Sequence, residues 1–222
     1  MAHAAGSRWG VDGWLFWREG RGSLSPAGVD RLASYGASQA GLVARYFIGQ
    51  SRSAFVFARA SKALDTGGET DLAVGGGIRP ISSVPVVALT EMRGTHLQGS
   101  WHVRPAVTLV TELPPLSISE KTSLEAYAQA GYVGGDFATP FADGQIRLER
   151  KLGNFGGAEL RVGAGTWGGA QEGAARLDLG PTASLHFDLD EVPVRLTADY
   201  RLRAAGDAEP GSGFALTLSS AF

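Results

Sequence analysis

Apolar and polar residues alternate along most of this chain. In the segment VPVRLTADYRLR, one face carries the apolar residues and the other carries the charged ones: Val194, Leu196, Ala198, Tyr200 and Leu202 oppose Arg195, Thr197, Asp199, Arg201 and Arg203. The closing stretch GFALTLSSAF alternates in the same way as far as Phe222. A period of two is typical of β-strands with one apolar and one polar face.

The alternation predicts about twelve strands. Each spans roughly ten residues, the length of a tilted strand that crosses a membrane. The predicted strands are 8–18, 38–50, 53–64, 70–80, 84–93, 101–112, 122–133, 144–152, 157–167, 174–189, 192–204 and 212–222. The segment SPAGVDRLASYG (25–36) has a cap-like Ser25, then Pro26, and ends at Gly36, which predicts one short helical turn within a connection.

The predicted connections alternate between short and long. QSRS and DLDEVP are tight, whereas LDTGGET and AAGDAEPGSG are longer, and only ELPPLSISEK departs from the rhythm. An even number of strands with tight turns at one end and long loops at the other indicates an up-and-down membrane barrel, with short periplasmic turns and longer extracellular loops.

Alternation alone leaves open which face points inwards. A soluble barrel or sandwich buries its apolar face, whereas a membrane barrel turns that face to lipid. Here the polar face carries far more arginine than lysine, which favours confined ion pairs. Aromatic residues stand near segment ends, as in an interfacial girdle, and the apolar face is mostly Ala, Val, Leu and Gly. These features favour the membrane barrel over a soluble β fold.

This choice of faces predicts the functional residues. The polar face is predicted to line a lumen with Arg45, Arg59, Arg79, Glu91, Arg93, Arg104, Glu112, Glu125, Arg147, Glu149, Glu159, Arg161, Arg176, Asp178, Arg195, Asp199, Arg201 and Arg203. On the other face, membrane anchoring is predicted for Trp9, Trp17, Tyr200, Phe214 and Phe222. Balanced charges also allow a second interpretation, in which the ion pairs satisfy one another and fill the barrel.

Composition restricts the alternatives. The net charge of −2 gives no electrostatic basis for nucleic-acid binding. There is no cysteine, so disulfides and thiolate metal sites are excluded. MAHAAGSRWG lacks the pattern of a signal peptide, which leaves either a cytosolic protein or a mature chain whose signal was replaced by an initiating Met.

Short motifs indicate neither a cofactor nor catalysis. GAGTWG (163–168) matches a dinucleotide-binding glycine pattern, but it lies within a predicted strand and no helix follows. The run GGG (75–77) is predicted to thin a strand or bend the lumen. The four histidines lack metal-ligand spacing. A Ser–His lipid hydrolase would need both residues on the outer surface, whereas His102 and His186 fall on the polar face. We therefore predict no metal, no cofactor and no enzyme.

The stretch FALTLSSAF resembles the C-terminal strand signature of bacterial outer-membrane barrels. This resemblance implies that Phe222 is an insertion signal read by the barrel-assembly machinery. RLASYGASQAGLVARY, AYAQAGYVGG, FADGQIRLER and WGGAQEGAARLDLGP are similar to a sphingomonad-type barrel that resembles the C-terminal barrel of bacteriophage adsorption protein A and, more distantly, exopolysaccharide-export porins. Those relatives often carry helical repeats before the barrel, and this chain has none.

We therefore expect one all-β outer-membrane barrel over 1–222, with a disordered segment at 1–7 and both termini on the periplasmic side. The expected function is a narrow, charge-lined pore for small polar solutes or a saccharide chain. The alternative is a non-conducting barrel that anchors a partner protein of the envelope or presents loops to one. The lipid bilayer is the expected environment.

Overall fold

The part of the chain that the structure describes is an all-β structure of thirteen strands. The computed structural model describes residues 7–20, 38–64, 68–97, 99–135 and 138–221. The strands are β1 (Trp9–Arg18), β2 (Gln39–Ile48), β3 (Ala54–Ala63), β4 (Thr70–Ile78), β5 (Val86–Leu97), β6 (Ser100–Thr111), β7 (Leu116–Ser119), β8 (Thr122–Val133), β9 (Thr139–Phe155), β10 (Ala158–Gln171), β11 (Ala174–Leu189), β12 (Val192–Gly206) and β13 (Gly213–Ala221).

Twelve of these strands close into a barrel in which every pairing is antiparallel. The first and last strands pair, with Leu15 opposite Leu218, and β6 pairs with β8, with Leu109 opposite Ala130. The remaining strand, β7, pairs with the start of β8 and stands outside the ring. Because both ends of the sheet are paired, none of the described strands of the wall is a free edge strand, and such closure is the condition for a sheet to cross a bilayer. The predicted twelve-stranded barrel is confirmed.

The two faces of the wall differ as they do in a membrane protein. Large apolar side chains are exposed on the outside, among them Val74, Val103 and Leu109. The fully buried side chains on the inside include Glu149 and Asp199. A soluble barrel would have the opposite arrangement, whereas apolar-out and polar-in is the arrangement of outer-membrane barrels. The protein therefore resides in the bacterial outer membrane.

Three of the predicted aromatic anchors pack against another ring on the outer face. Trp9 and Trp17 stand at opposite ends of β1 and are exposed. The Trp9 ring lies 5.1 Å from the ring of Tyr46, and the Tyr200 ring lies 4.8 Å from that of Phe214. Amphipathic rings at the two ends of a strand suit the two membrane interfaces.

The connections differ from the predicted alternation. The barrel has a terminal end, where β1 begins and β13 ends, and a loop end opposite. At the loop end, only two residues separate β5 from β6 and β10 from β11, although long loops were expected there. Gly99 and Gly173 have positive φ in these turns, and that backbone conformation permits a tight hairpin. At the terminal end, residues 112–121 form an excursion that includes the unpredicted β7.

Several strand bounds also differ from the prediction. Strand β9 begins at Thr139, five residues before the predicted strand 144–152. Strand β10 continues to Gln171, beyond the predicted end at 167, because β9 and β10 pair along their whole length. The predicted helical turn at 25–36, residues 1–6 and Phe222 lie outside the described residues. Ser7 is described, and its hydroxyl bonds to the carbonyl oxygen of Trp9. Among the described residues there is no helix long and apolar enough to cross a membrane.

Candidate functional site

The inner face of the barrel brings the predicted charged residues together. Most of them lie within the strands. Four stand near the rims: Arg79 and Glu112 pair with each other at the terminal end, Glu159 lies at the same end, and Arg203 lies at the loop end. Apart from Arg45, which pairs with Asp12, the other residues form three groups: a clamp at the loop end, a network that crosses the lumen, and a row of arginines on one wall.

The loop-end clamp consists of Arg18, Arg176 and Asp178. Arg18 Nη1 lies 3.0 Å from Asp178 Oδ2, and Arg176 Nε donates to both oxygens of that carboxylate at 2.8 Å. All three residues are buried. Since Arg18 is on β1 and Asp178 on β11, the pair joins strands three positions apart around the ring.

The clamp also holds the connection 207–212. Arg176 donates to the carbonyl oxygens of Ala208, Pro210 and Gly211, and Arg18 donates to Gly211 as well. Pro210 is fully buried. The connection therefore folds inwards over part of the loop end, because the guanidinium groups are the partners of its carbonyl groups.

The crossing network begins at Asp199. This carboxylate accepts hydrogen bonds from Thr182 at 2.7 Å, Arg201 at 3.1 Å and Arg147 at 3.2 Å. It is 1% exposed, so the three donors together compensate for its desolvation. Arg147 belongs to β9 and Asp199 to β12, so this pair too joins strands three positions apart.

Arg195 extends the network towards the terminal end. Its guanidinium lies 2.5 Å from Glu125 and 2.6 Å from the buried Glu149. Because Arg195 is on β12 and Glu125 is on β8, this contact reaches four strands around the wall. Below it, Arg161 bonds to Glu159 at 2.6 Å and to the Ser123 hydroxyl at 2.8 Å. The side of the lumen lined by β8–β12 is thus bridged by ion pairs.

The wall of β3–β6 has a different arrangement. Arg59 and Arg93 both donate to one oxygen of Glu91, at 2.8 and 2.7 Å. Arg104 is buried on the neighbouring strand β6, and no carboxylate of the described residues lies within 4.0 Å of it. On β1 and β2, Arg45 pairs with Asp12 on the adjacent strand. Apart from the Arg18–Asp178 pair, ion pairs on this side therefore stay within two strands of one another.

Aromatic residues also line the lumen, and the sequence pattern did not lead us to predict them there. Phe55 and Phe57 form an apolar cluster with Val43 and Val87 on the inner face. Elsewhere Arg201 stacks on Trp167 with its guanidinium carbon 4.5 Å from the ring centre. Their positions in the alternation could have indicated this, because each of these aromatic residues lies an even number of positions from the charged residues of its own strand.

Glycines make room for some of these rings. A Cβ at Gly41 would lie 2.2 Å from the Trp14 ring, and one at Gly77 would lie 2.4 Å from the Phe55 ring. The run at 75–77 therefore does more than thin the strand, since Gly77 accommodates an inward aromatic residue.

A carboxyl group at the loop end carries a perturbed pKa. Glu69 lies in the connection just before β4, beside Asp71, which accepts a hydrogen bond from Thr95 at 2.5 Å. Burial, and then the Asp71 carboxylate, raise the pKa of Glu69 to about 8.

The inner face also contains a serine–histidine contact. Ser184 Oγ lies 3.0 Å from His186 Nε2, but Ser184 is buried inside the barrel and faces the lumen. A lipid substrate in the membrane would meet the outer face instead. In the described part of the chain, no three His, Asp or Glu side chains are grouped to hold a metal ion.

The size of the barrel limits what the lumen can pass. Strands 4.8 Å apart and tilted by about 40° give a twelve-stranded barrel a backbone radius of about 12 Å. Long side chains cross one half of this lumen, and the cluster of Phe55 and Phe57 lies on the inner face of the other half.

Comparisons with known proteins identify the fold only. No family model matches the chain, and no curated protein matches it. The β domain of the Bordetella autotransporter BrkA matches with a TM-score of 0.50 and 13% identity, covering 97% of this chain and 99% of that one. LpxR from Salmonella typhimurium matches with a TM-score of 0.49 and 10% identity, over 96% and 99%. A bacterial polysaccharide outer membrane secretin has a TM-score of 0.49 and 9% identity, over 96% and 97%.

Proposed function

We propose that the protein is a narrow, passive pore of the outer membrane for small polar solutes. One observation carries this proposal: ion pairs bridge the lumen between β8 and β12, and Arg18 of β1 reaches β11, but the ion pairs of β2–β6 stay local. Arg195 reaches Glu125 four strands away, whereas Arg59 and Glu91 are only two strands apart. The path of a solute would therefore follow the wall of β2–β6.

The chemistry of this path suits polar solutes. Arginine side chains provide hydrogen-bond donors, and carboxylates such as Glu91 set the local charge. The resemblance to exopolysaccharide-export barrels extends the proposal to a saccharide chain. No catalytic role is included, since the Ser184–His186 contact faces the lumen and Ser184 is buried.

Conductance in planar lipid bilayers tests the proposal. Folded barrel is recognised on a gel because it migrates faster before heating than after heating. This folded fraction should form channels of small, steady conductance. Arg161→Glu or Arg201→Glu should shift the ratio of cation to anion permeability if the lumen conducts. A correctly folded barrel that stays silent in bilayers would exclude the pore.

A second function is supported by the filled parts of the lumen. The clamp holds residues 207–212 across the loop end, and Phe55 and Phe57 occupy the inner face of β3. A barrel closed in this way would serve as a non-conducting anchor or would present its loops to an envelope partner. Recognition by the barrel-assembly machinery is expected for either function. This expectation rests on the resemblance of the C-terminal strand to the signature of outer-membrane barrels.

A further inference from the structure

Three arginines on the inner wall stand in one row. Arg59 on β3 is in register with Ala73 on β4, Ala73 with Arg93 on β5, and Arg93 with Arg104 on β6. All four positions face the lumen. Like charges placed directly opposite each other on adjacent strands are unfavourable, so the Arg93–Arg104 pair costs stability unless negative charge compensates it.

The protein supplies little of that compensation. A single oxygen of Glu91 accepts hydrogen bonds from both Arg59 and Arg93. Arg104 is 5% exposed, and its Nε has no hydrogen-bond partner among the described residues. Glu69 and Asp71 influence Arg104 only at longer range, without an ion pair. By contrast, the buried arginines 18, 147 and 176 each bond to a carboxylate.

The guanidinium groups of Arg59 and Arg93 already converge on one point of the inner wall. The Cα atoms of these two residues are about 10 Å apart, since neighbouring strands are about 5 Å apart and only Ala73 lies between them, but both side chains reach the same Glu91 oxygen. A guanidinium group presents a planar pair of donors that matches a carboxylate or a phosphate, and Arg104 Nε has no hydrogen-bond partner among the described residues.

We propose that Arg59, Arg93 and Arg104 form a binding site for an oxyanion, the carboxylate or phosphate group of a solute in the lumen. The solute provides the negative charge that the wall lacks. This site adds a ligand class to the proposed pore function. It rests on that function only for the route by which the anion arrives, because binding itself requires nothing more than an accessible lumen.

Titration calorimetry on the folded barrel in detergent tests the site without any conductance. The probes are glucuronate and inorganic phosphate, with glucose as an uncharged sugar of similar size. The parent protein should bind at least one anion and should not bind glucose. Binding of glucuronate alone would assign the site to carboxylates, and binding of phosphate alone would assign it to phosphates.

The variant Arg104→Gln should bind the preferred anion about tenfold more weakly, because one charge-assisted bidentate contact is lost. Lys121→Gln removes the same charge from the exposed β7–β8 turn and should bind like the parent. Arg104→Lys keeps the charge but loses the planar fork, so it should lie between the two. Equal binding by the parent and Arg104→Gln, or no anion binding by the folded parent, would overturn the site.

The two proposals fail in different ways. Anion binding by a barrel that is silent in bilayers would retain the site and remove the pore. Channels whose reversal potential is the same in the parent and in Arg104→Gln, together with no measurable anion binding, would retain the pore and remove the site.

Discussion

Arg18 and Asp178 lie 3.0 Å apart inside the barrel, although three strand-to-strand steps separate them along the wall. Both side chains are almost fully buried. The same carboxylate also accepts the hydrogen bonds of Arg176. One aspartate therefore pairs with two arginines and ties β1 to β11 across the lumen.

Replacing this aspartate should destabilise the barrel strongly. Asp178→Asn leaves two buried guanidinium groups without a counter-charge, and the loss of one partner of a buried ion pair costs about 3–5 kcal/mol. Urea unfolding in detergent, followed by gel migration, measures the change. The control Asp188→Asn changes an exposed residue at the terminal end and should be neutral. Equal midpoints for the two variants would contradict the role of the clamp.

The clamp should also control the connection 207–212. In Arg176→Ala, the carbonyl groups of Ala208, Pro210 and Gly211 lose their main donor. We expect the amides of Asp207 and Ala208 to exchange hydrogen about tenfold faster, since a net hydrogen bond is worth about 1 kcal/mol and several are lost. Mass spectrometry of the exchanged peptides measures this rate. If the barrel conducts, its single-channel conductance should rise as well, whereas Lys121→Ala should leave both quantities unchanged.

Stability should depend on pH through Glu69. The pKa of this carboxyl is raised from 4.5 to about 8, so the folded barrel binds the proton more tightly than the unfolded chain. The resulting stabilisation is complete below pH 4.5 and is lost as the pH rises through about 8. Melting temperatures across this window should fall less steeply for Glu69→Gln than for the parent. Glu120→Gln, at an exposed turn, should follow the parent, and identical curves for all three proteins would refute the assignment.

Two adjacent glycines should differ in their tolerance of a methyl group. Gly77→Ala places a Cβ 2.4 Å from the Phe55 ring and 2.7 Å from Leu89, and such overpacking costs about 1–3 kcal/mol. For Gly76→Ala, the nearest atom is a carbonyl oxygen at 3.6 Å, so we expect no loss of stability. Urea unfolding of both variants compares them directly. Equal stability would mean that the inward Phe55 can move away without cost.

The C-terminal residue should affect assembly more than stability. Phe222 lies outside the described residues, but β13 keeps its alternation as far as Ala221. In this strand Phe214, Leu216 and Leu218 are exposed on the outer face. Deletion of Phe222 should lower the amount of folded barrel in the outer membrane several-fold. Refolding of the same variant in detergent should remain close to that of the parent. Normal assembly in cells would contradict the proposed insertion signal.

The alternation of residues predicted the strands, and the excess of arginine on the polar face, the aromatic residues near segment ends and the small apolar residues of the other face predicted which face points inwards. Successive side chains of a strand point to opposite sides, so Arg195, Asp199 and Arg201 share a face wherever their strand lies. The same local rule shows that Leu196 and Leu202 point the other way. The strand count follows from segments long enough to cross a bilayer. Strand β7 was missed because its four residues, LSIS, lie among prolines and polar residues that resemble a loop.

The partners inside the lumen were decided by the tertiary structure. That Arg195 meets Glu125, and that Arg18 meets Asp178, depends on the stagger and tilt with which the barrel closes. The pattern within a single strand carries no information about these quantities. For the same reason, the sequence pattern indicated only a lumen of balanced charges, whereas the folded barrel bridges one side with ion pairs and leaves the arginine row on the other. The chain determined by itself which side chains point inwards, and closure of the sheet decided which of them meet.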